Sequence, residues 1–244
     1  MLTAGVDLAA EPKGTALAII EWRQTSATLV DLQLGVADQQ IVEAAQHVDK
    51  LGIDCALGWP IEFVDFLNQH SNPNSNAQPD GGMDWRRRVS FRESDRHVRE
   101  VTGKWPLSVS TDRLGLTAMR CAGLQGRLQQ SGVEVDRSGL GKVVEIYPGA
   151  SLRLWGFDTT GYRVQEETRE ELLRSLQNEV PWLNLDSYQD LMFSSTDAFD
   201  AVIASLATRA AAIGKYSPPP KEHLETAKIE GWIALPTCSI AELL

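Results

Sequence analysis

Hydrophobic and polar positions in the first quarter of the chain alternate in a way that predicts short strands around one helix. The first strand is an apolar run that ends in Asp7, and the turn formers at 11–14 predict a tight turn after it. A later segment repeats apolar residues at helical spacing behind Asp38, which we expect to be its N-cap. The predicted elements are strands at 2–8, 15–22 and 27–34, a helix at 38–50 and a strand at 53–57.

The remainder of the chain is richer in helical patterns. The clearest helix covers 194–214, and its apolar stripe is formed by Phe199, Val202, Ile203, Leu206 and Ala210. A long helix at 112–131 is expected to bury Leu114, Leu116, Met119, Leu124 and Leu128. The other predicted elements are partly helical structure at 86–104, a strand at 142–147, helices at 150–155 and 166–179, and a short strand at 231–236. The polar stretch at 71–82 predicts a mobile loop.

This order of elements predicts an α/β fold in a single domain over residues 1–244. The sheet would be mixed and five-stranded and would be flanked by helices. A helical insertion at about 61–135 would separate the fourth strand from the fifth.

Composition narrows the possible functions. The net charge of −10 disfavours loose, non-specific binding to nucleic acid, although a local basic surface remains compatible with it. Three cysteines, at 55, 121 and 238, are widely spaced and suit a reducing compartment, and the first two are expected to be buried thiols. No run of apolar residues is long enough to span a membrane. The expectation is therefore a cytoplasmic protein without membrane contact.

Several acidic residues lie in or at the ends of apolar strands, where burying a charge without a partner would cost free energy. Asp7 ends the first strand, Asp54 lies in the fourth and Glu145 lies inside the apolar strand VVEIY. Asp197 and Asp200 are spaced so that both carboxylates lie on one face of the 194–214 helix. Carboxylates that converge at strand ends repel each other unless a cation lies between them, and hard oxygen ligands suit Mg²⁺ or Mn²⁺.

Structural roles remain open for each of these residues. Asp7 could be a turn residue, Asp197 could be favoured by the helix dipole, and Glu145 could pair with a buried arginine. The hypothesis of a functional cluster depends on their joint occurrence in this order.

Several segments together resemble a family of predicted ribonuclease H-like nucleases that has long been classed as a domain of unknown function. The segments are GVDLAAEPKGTALAII, IDC followed by ALGWPIEF, FRESDR, VVEIYPGASL and DAFDAVIASLATRAA. The last of them is also similar to the closing helix of Holliday-junction resolvases. The resemblance implies a ribonuclease H-like sheet and metal-assisted phosphodiester hydrolysis. It also implies that Asp7, Asp54, Asp197 and Asp200 bind metal, with Glu145 beside them as a further catalytic candidate.

An arginine-rich segment is the local basic feature of this acidic chain. Arg92, Arg96 and Arg99 recur at helical spacing, and we expect Arg92 and Arg96 to border the carboxylates and contact substrate phosphate. The alternative is a solvated helix in which these arginines pair with neighbouring acidic residues. Trp85 and Trp105 flank the segment and could stack on bases or pack in the core.

Three functions remain open at this stage. The first is a metal-dependent nuclease acting on DNA or RNA. The second is a phosphotransferase or ATPase on the same core, which would usually need glycine-rich phosphate turns that are missing here. The third is a catalytically silent interaction domain. The four histidines have no zinc-binding spacing, and the oligomeric state is left open.

Overall fold

A mixed sheet of six strands lies at the centre of the molecule. The structure is a computed structural model and describes residues 1–75 and 80–244. The strands are β1 (Leu2–Asp7), β2 (Ala16–Trp22), β3 (Ala27–Leu34), β4 (Lys50–Asp54), β5 (Val143–Glu145) and β6 (Leu183–Asn184). They are arranged in the order β5-β4-β1-β2-β3-β6. β2 is antiparallel to both of its neighbours, whereas the β1–β4, β4–β5 and β3–β6 pairs are parallel.

Helices cover both faces of this sheet. In chain order they are α1 (Asp38–His47), α2 (Ile61–Ser71), α3 (Gly82–Ser90), α4 (Glu93–Thr102), α5 (Gly115–Gln130), α6 (Pro148–Leu154), α7 (Glu166–Glu179), α8 (Gln189–Ser194), α9 (Thr196–Ala212) and α10 (Leu224–Glu230). A small antiparallel pair, β7 (Tyr216–Ser217) and β8 (Leu235–Pro236), lies outside the sheet. Side chains of α1 and α5 pack on one face, and those of α6, α7, α8 and α9 pack on the other.

The α/β class and the mixed sheet are confirmed, with differences in detail. The described part of the chain contains a short strand, β6, beyond the five expected. The fourth strand begins three residues before its predicted start and ends at Asp54, so this carboxylate lies at the strand end. Asp38 is the first helical residue of α1 rather than its N-cap, and it accepts a hydrogen bond from Arg120 (2.8 Å). The predicted loop at 71–82 falls partly outside the described residues.

The segment expected as an insertion contains α2 to α5, and α5 contributes to the core. Its buried side is formed by Ala118, Cys121, Leu124, Gln125 and Leu128. The prediction that Leu116 and Met119 would be buried is wrong, because both are mostly exposed. The pair Cys55 and Cys121 is buried and unoxidised, as expected.

Helix α9 approaches the sheet at two adjacent glycines. Gly5 of β1 and Gly52 of β4 are neighbours across the parallel pair. A Cβ atom at Gly5 would stand 2.1 Å from the backbone nitrogen of Ser205, and one at Gly52 would stand 1.9 Å from the Oγ1 atom of Thr208. Any side chain at these positions would push the helix away. The contact is fixed by hydrogen bonds between Ser205 and Thr3, whose hydroxyl oxygens are 2.9 Å apart.

We expect Gly5→Ala to lower the free energy of unfolding by about 3 kcal/mol, because the new methyl group meets backbone atoms that cannot rotate away. The matched control is Gly123→Ala on the exposed side of α5, where an added Cβ has no atom within 4 Å. That change should raise stability by up to about 1 kcal/mol through helix propensity. Urea unfolding of the three proteins measures both effects. Equal stability of Gly5→Ala and wild type would contradict the close contact.

Candidate carboxylate site

Four aspartates line one cleft at the carboxyl ends of the central parallel strands. Asp7 and Asp54 are direct neighbours in the register of β1 and β4, and both are the last residues of their strands. Asp197 and Asp200 lie in the first turn and a half of α9, which begins where the Ser195 hydroxyl accepts a hydrogen bond from the Ala198 amide. The cleft has a volume of about 320 Å³ and is lined by all four carboxylates. The structure therefore brings together the four residues expected to bind metal.

Asp200 is the least exposed of these aspartates, and within the described residues it is the one whose carboxylate has hydrogen-bond or ion-pair partners. The Tyr162 hydroxyl donates to one carboxylate oxygen (2.9 Å), and the Arg163 guanidinium lies 2.9 Å from the other. Arg163 also donates to the Tyr162 oxygen from Nε (3.0 Å). Burial nevertheless raises the pKa of Asp200, and Arg163 offsets part of that increase.

Asp7 and Asp54 have no such compensation. Within the described residues, neither carboxylate has a hydrogen-bond donor or an ion-pair partner. Burial raises the pKa of Asp7 well above its ordinary value, and the charges of Asp54 and Asp200 raise it further. Burial also raises the pKa of Asp54 to about 7, and although Arg163 lowers it, Asp200 acts in the same direction as burial. The pKa of Asp197 is raised by burial alone.

The chemistry of these oxygen donors fits a divalent cation. Crowded carboxylates with raised pKa values gain most from a nearby positive charge, and Mg²⁺ and Mn²⁺ prefer oxygen ligands. The guanidinium of Arg163 supplies positive charge at Asp200. Across residues 1–75 and 80–244, no group of three or more His, Cys, Asp or Glu side chains is arranged so that it could hold a metal ion as placed. Each oxygen of Asp200 already has one protein partner, so a metal ion would bind through the lone pairs that Tyr162 and Arg163 leave free.

Glu145 lines the cleft, but its carboxylate is used for another purpose. Arg92 donates to both of its oxygens, at 2.8 and 2.7 Å, and the Leu57 amide donates to one of them (3.0 Å). The remaining donors of Arg92 bind Asp95 and the Glu230 carbonyl. Both members of the pair are about 3% exposed. The pairing of Glu145 with a buried arginine, left open above, is the arrangement found.

This arrangement corrects the expected role of the arginine segment. Arg92 has all three nitrogens bound within the protein, so it has no free donor for a substrate phosphate. Arg96 pairs with Glu93 (2.6 Å) and does not line the cleft. Trp105 packs on Phe91 with ring centroids 4.3 Å apart. The alternative of a helix that pairs with its acidic neighbours describes this segment better than a phosphate-binding helix.

Tyr162, Arg163 and Glu230 were missed by the sequence reasoning. The first two lie in the irregular segment between α6 and α7, where no periodicity marks a side chain as inward-facing. Glu230 accepts hydrogen bonds from the backbone amides of Ile61 (2.8 Å) and Glu93 (3.0 Å), so one carboxylate holds the starts of α2 and α4. A glutamate just before the glycine that follows a short helix gives no sequence signal for that role.

The fold and the site define an α/β protein with a cluster of four aspartates at the carboxyl ends of its parallel strands. The chain belongs to the family described as "Protein of unknown function (DUF429)", whose match covers residues 5–224. This match confirms the expected membership of a family classed as a domain of unknown function. Neither a curated protein nor a solved structure matches the chain. In the part of the chain that the structure describes, no helix is long and apolar enough to cross a membrane.

The raised pKa of Asp54 predicts a pH-dependent stability in the absence of metal. Between the ordinary aspartate pKa near 4 and the folded value of about 7, the folded state holds a proton that the unfolded state has lost. The free energy of unfolding should therefore fall as pH rises through this window, by roughly 4 kcal/mol at most from this residue. Asp54→Asn should flatten the profile, and Asp190→Asn, at an exposed position, should leave it unchanged. Urea unfolding in EDTA between pH 4.5 and 8 is the measurement, and parallel curves for Asp54→Asn and wild type would contradict the assignment.

Arg92→Met should destabilise the protein by about 3–5 kcal/mol, because it leaves two buried carboxylates without their cation. Arg96→Met removes a partly exposed ion pair and should cost at most about 1 kcal/mol. Thermal unfolding compares the two variants with wild type. If Arg92→Met and wild type had equal melting temperatures, the structural role of Arg92 would be contradicted and a role in ligand binding would be favoured.

Proposed function

We propose that the protein is a divalent-metal-dependent nuclease with a ribonuclease H-like fold, and that it hydrolyses phosphodiester bonds of DNA or RNA. The observation that carries the proposal is the convergence of Asp7 and Asp54, at the ends of adjacent parallel strands, with Asp197 and Asp200 on the helix packed beneath them. The meander β1-β2-β3, followed by β4 and β5 parallel to β1, supports the fold assignment. Because the family match carries no activity, the proposal depends on this geometry.

The four aspartates are proposed as metal ligands rather than as nucleophiles. A bound Mg²⁺ or Mn²⁺ would supply Lewis acidity at the phosphate and lower the pKa of a water. Asp7 and Asp54 suit this role best because their oxygens have no bonds to protein donors within the described residues. Asp200, which already contacts Arg163, is held in place by Tyr162.

Arg163 is the side chain that we propose for holding the reacting phosphate. It lines the cleft, and about half of its side chain is exposed. Arg92 also lines the cleft, but its donors are all bound to protein. A guanidinium can bind two phosphate oxygens side by side, so Arg163 could hold a phosphodiester group against the carboxylates once a cation neutralises them.

The variant that tests the proposal is Asp7→Asn. Asp7 loses no hydrogen bond or ion pair among the described residues when it becomes neutral, whereas Asp200 would leave Arg163 unpaired. Cleavage of DNA or RNA in Mn²⁺ should fall by at least about 100-fold, because loss of a supporting residue alone costs 10–100-fold at metal sites. Stability in EDTA should hold or rise, since one of several repelling charges is removed.

The assay needs four substrates and one control. Single- and double-stranded DNA, RNA and ATP are incubated with Mn²⁺ or EDTA, and Asp190→Asn serves as a control on the exposed side of α8. Mn²⁺-dependent cleavage of nucleic acid that survives in Asp190→Asn and is lost in Asp7→Asn supports the nuclease. Turnover of ATP alone would favour the phosphotransferase or ATPase alternative. No turnover of any substrate, without stabilisation by Mn²⁺, would favour the silent interaction domain.

A further inference from the structure

A second cavity adjoins the carboxylate cleft. It has a volume of about 300 Å³ and lies between the start of α6 and the irregular segment before α7. Tyr147 and Arg163 line both the cavity and the cleft, so the two spaces share a wall. Gly149, Arg153 and Tyr162 also line the second cavity.

The charge of this cavity is opposite to that of the cleft. Two arginines, Arg153 and Arg163, line it, and among the described residues its lining contains no aspartate or glutamate. Arg163 is paired with Asp200 on the side of the cleft, so Arg153 supplies a positive charge that stands out on a protein with a net charge of −10. An anion entering the cavity would meet only positive and neutral groups.

Arg153 has buried donors that no protein group satisfies. Its Nε and Nη2 atoms are buried and have no hydrogen-bond partner among the described residues. The guanidinium carbon lies 5.6 Å from the centre of the Tyr147 ring, which holds the side chain over that ring. A Cβ atom at Gly149 would lie 3.6 Å from Nη1, so the glycine leaves the space beside this nitrogen open. Unsatisfied donors on a cation are unfavourable, and since Nε and Nη2 are closed off from solvent, the open space beside Nη1 is where an oxyanion could approach this guanidinium.

Arg163 also has binding capacity left. Its Nε donates to Tyr162 and its Nη2 pairs with Asp200, but Nη1 has no partner within the described residues. Tyr162 also lines the cavity, and its ring lies 5.6 Å below the Arg163 guanidinium. The two arginines are thus held over the two tyrosines at the border of one cavity.

We propose that this cavity binds a phosphate group, namely the backbone phosphate next to the one that reacts at the carboxylates. The inference rests on the proposed nuclease function for the choice of nucleic acid over free phosphate, and on the geometry alone for the choice of an oxyanion. The cavity then sets the position of the strand, because a phosphodiester held by Arg153 aligns its neighbour with Arg163 and the aspartates on the shared wall.

Arg153→Met tests the proposal because it keeps an unbranched apolar stem and removes the guanidinium with its charge and donors. Binding of a fluorescent single-stranded oligonucleotide is measured by anisotropy in EDTA and in Ca²⁺, over a series of salt concentrations. Affinity should fall by at least about tenfold, and the slope of log affinity against log salt should decrease by about 0.7. The matched control is Arg174→Met on α7, whose side chain is 69% exposed and pairs with Glu170. It should change neither value.

Two further measurements separate a ligand site from a structural arginine. In phosphate-free buffer the melting temperature of Arg153→Met should equal or exceed that of wild type, since no hydrogen bond of Nε or Nη2 among the described residues is lost and Met can still pack on the Tyr147 ring. Arg153→Lys, which keeps the charge without the fork, should recover part of the affinity. Unchanged affinity and salt slope in Arg153→Met would overturn the proposal. A lower melting temperature with unchanged affinity would overturn it too.

The same binding experiments show whether the bound phosphate belongs to a nucleic-acid backbone or is free phosphate. They also test the cavity separately from the nuclease function. An oligonucleotide with uncharged methylphosphonate linkages should lose the effect of Arg153. Stabilisation of wild type by inorganic phosphate, together with oligonucleotide binding that ignores Arg153→Met, would overturn the assignment to a nucleic-acid backbone. Oligonucleotide binding can be measured without turnover. If affinity depends on Arg153 but no Mn²⁺-dependent cleavage is found, the cavity is retained as a phosphate site and the nuclease function is rejected. Mn²⁺-dependent cleavage by wild type, together with unchanged oligonucleotide binding in Arg153→Met, would retain the nuclease and reject the cavity as a phosphate site.

Discussion

The positions of the four aspartates in the cleft depend on the contact between α9 and two glycines of the sheet. Gly5 and Gly52 lie side by side, so the α9 backbone rests directly on β1 at Gly5 and the Thr208 side chain of α9 fits against β4 at Gly52. Asp7 is two residues beyond Gly5, and Asp54 is two residues beyond Gly52, so both face the helix that carries Asp200. A larger residue at either glycine would widen the gap between strand ends and helix. The close packing of α9 on the sheet therefore sets the shape of the cleft, and the charges of the carboxylates act within that shape.

Charge compensation separates the structural carboxylates from the candidate functional ones. Glu145 is bound by Arg92 and a backbone amide, and this buried pair ties α4 to the end of β5. Asp7 and Asp54 are left without comparable partners in the described chain, and their pKa values are raised in consequence. A fold gains no stability from uncompensated buried carboxylates, so their presence beside well-compensated ones favours a role in binding a cation.

The local patterns that the sequence predicts well are the ones set by short-range periodicity. The strand at 27–34 and the helix at 166–179 were predicted with the bounds that the structure has, and the spacing of Asp197 and Asp200 placed them on one helix face. The pairing of Arg92 with Glu145 could not be predicted in the same way, because 53 residues separate them. Arg163 lies in an irregular segment, where only tertiary packing decides which way a side chain points. The burial of α5 was misjudged for a related reason: its apolar residues exceed what one helix face can bury.

The two cavities offer a physical reason why an acidic protein could bind an anionic strand. At physiological ionic strength, charges more than about 8 Å apart across solvent are largely screened, so a bound phosphate responds mainly to the groups nearest to it. Near Arg153 and Arg163 those groups include the cationic guanidiniums, whereas at Asp7 and Asp54 they are carboxyl groups that repel a phosphate once they ionise. Such a site would repel a phosphate at the carboxylates in the metal-free state and retain one at the arginines. A metal ion at the aspartates would then add positive charge beside the arginines, which are already part of the fold. The order in which phosphate and metal bind would follow from these charges.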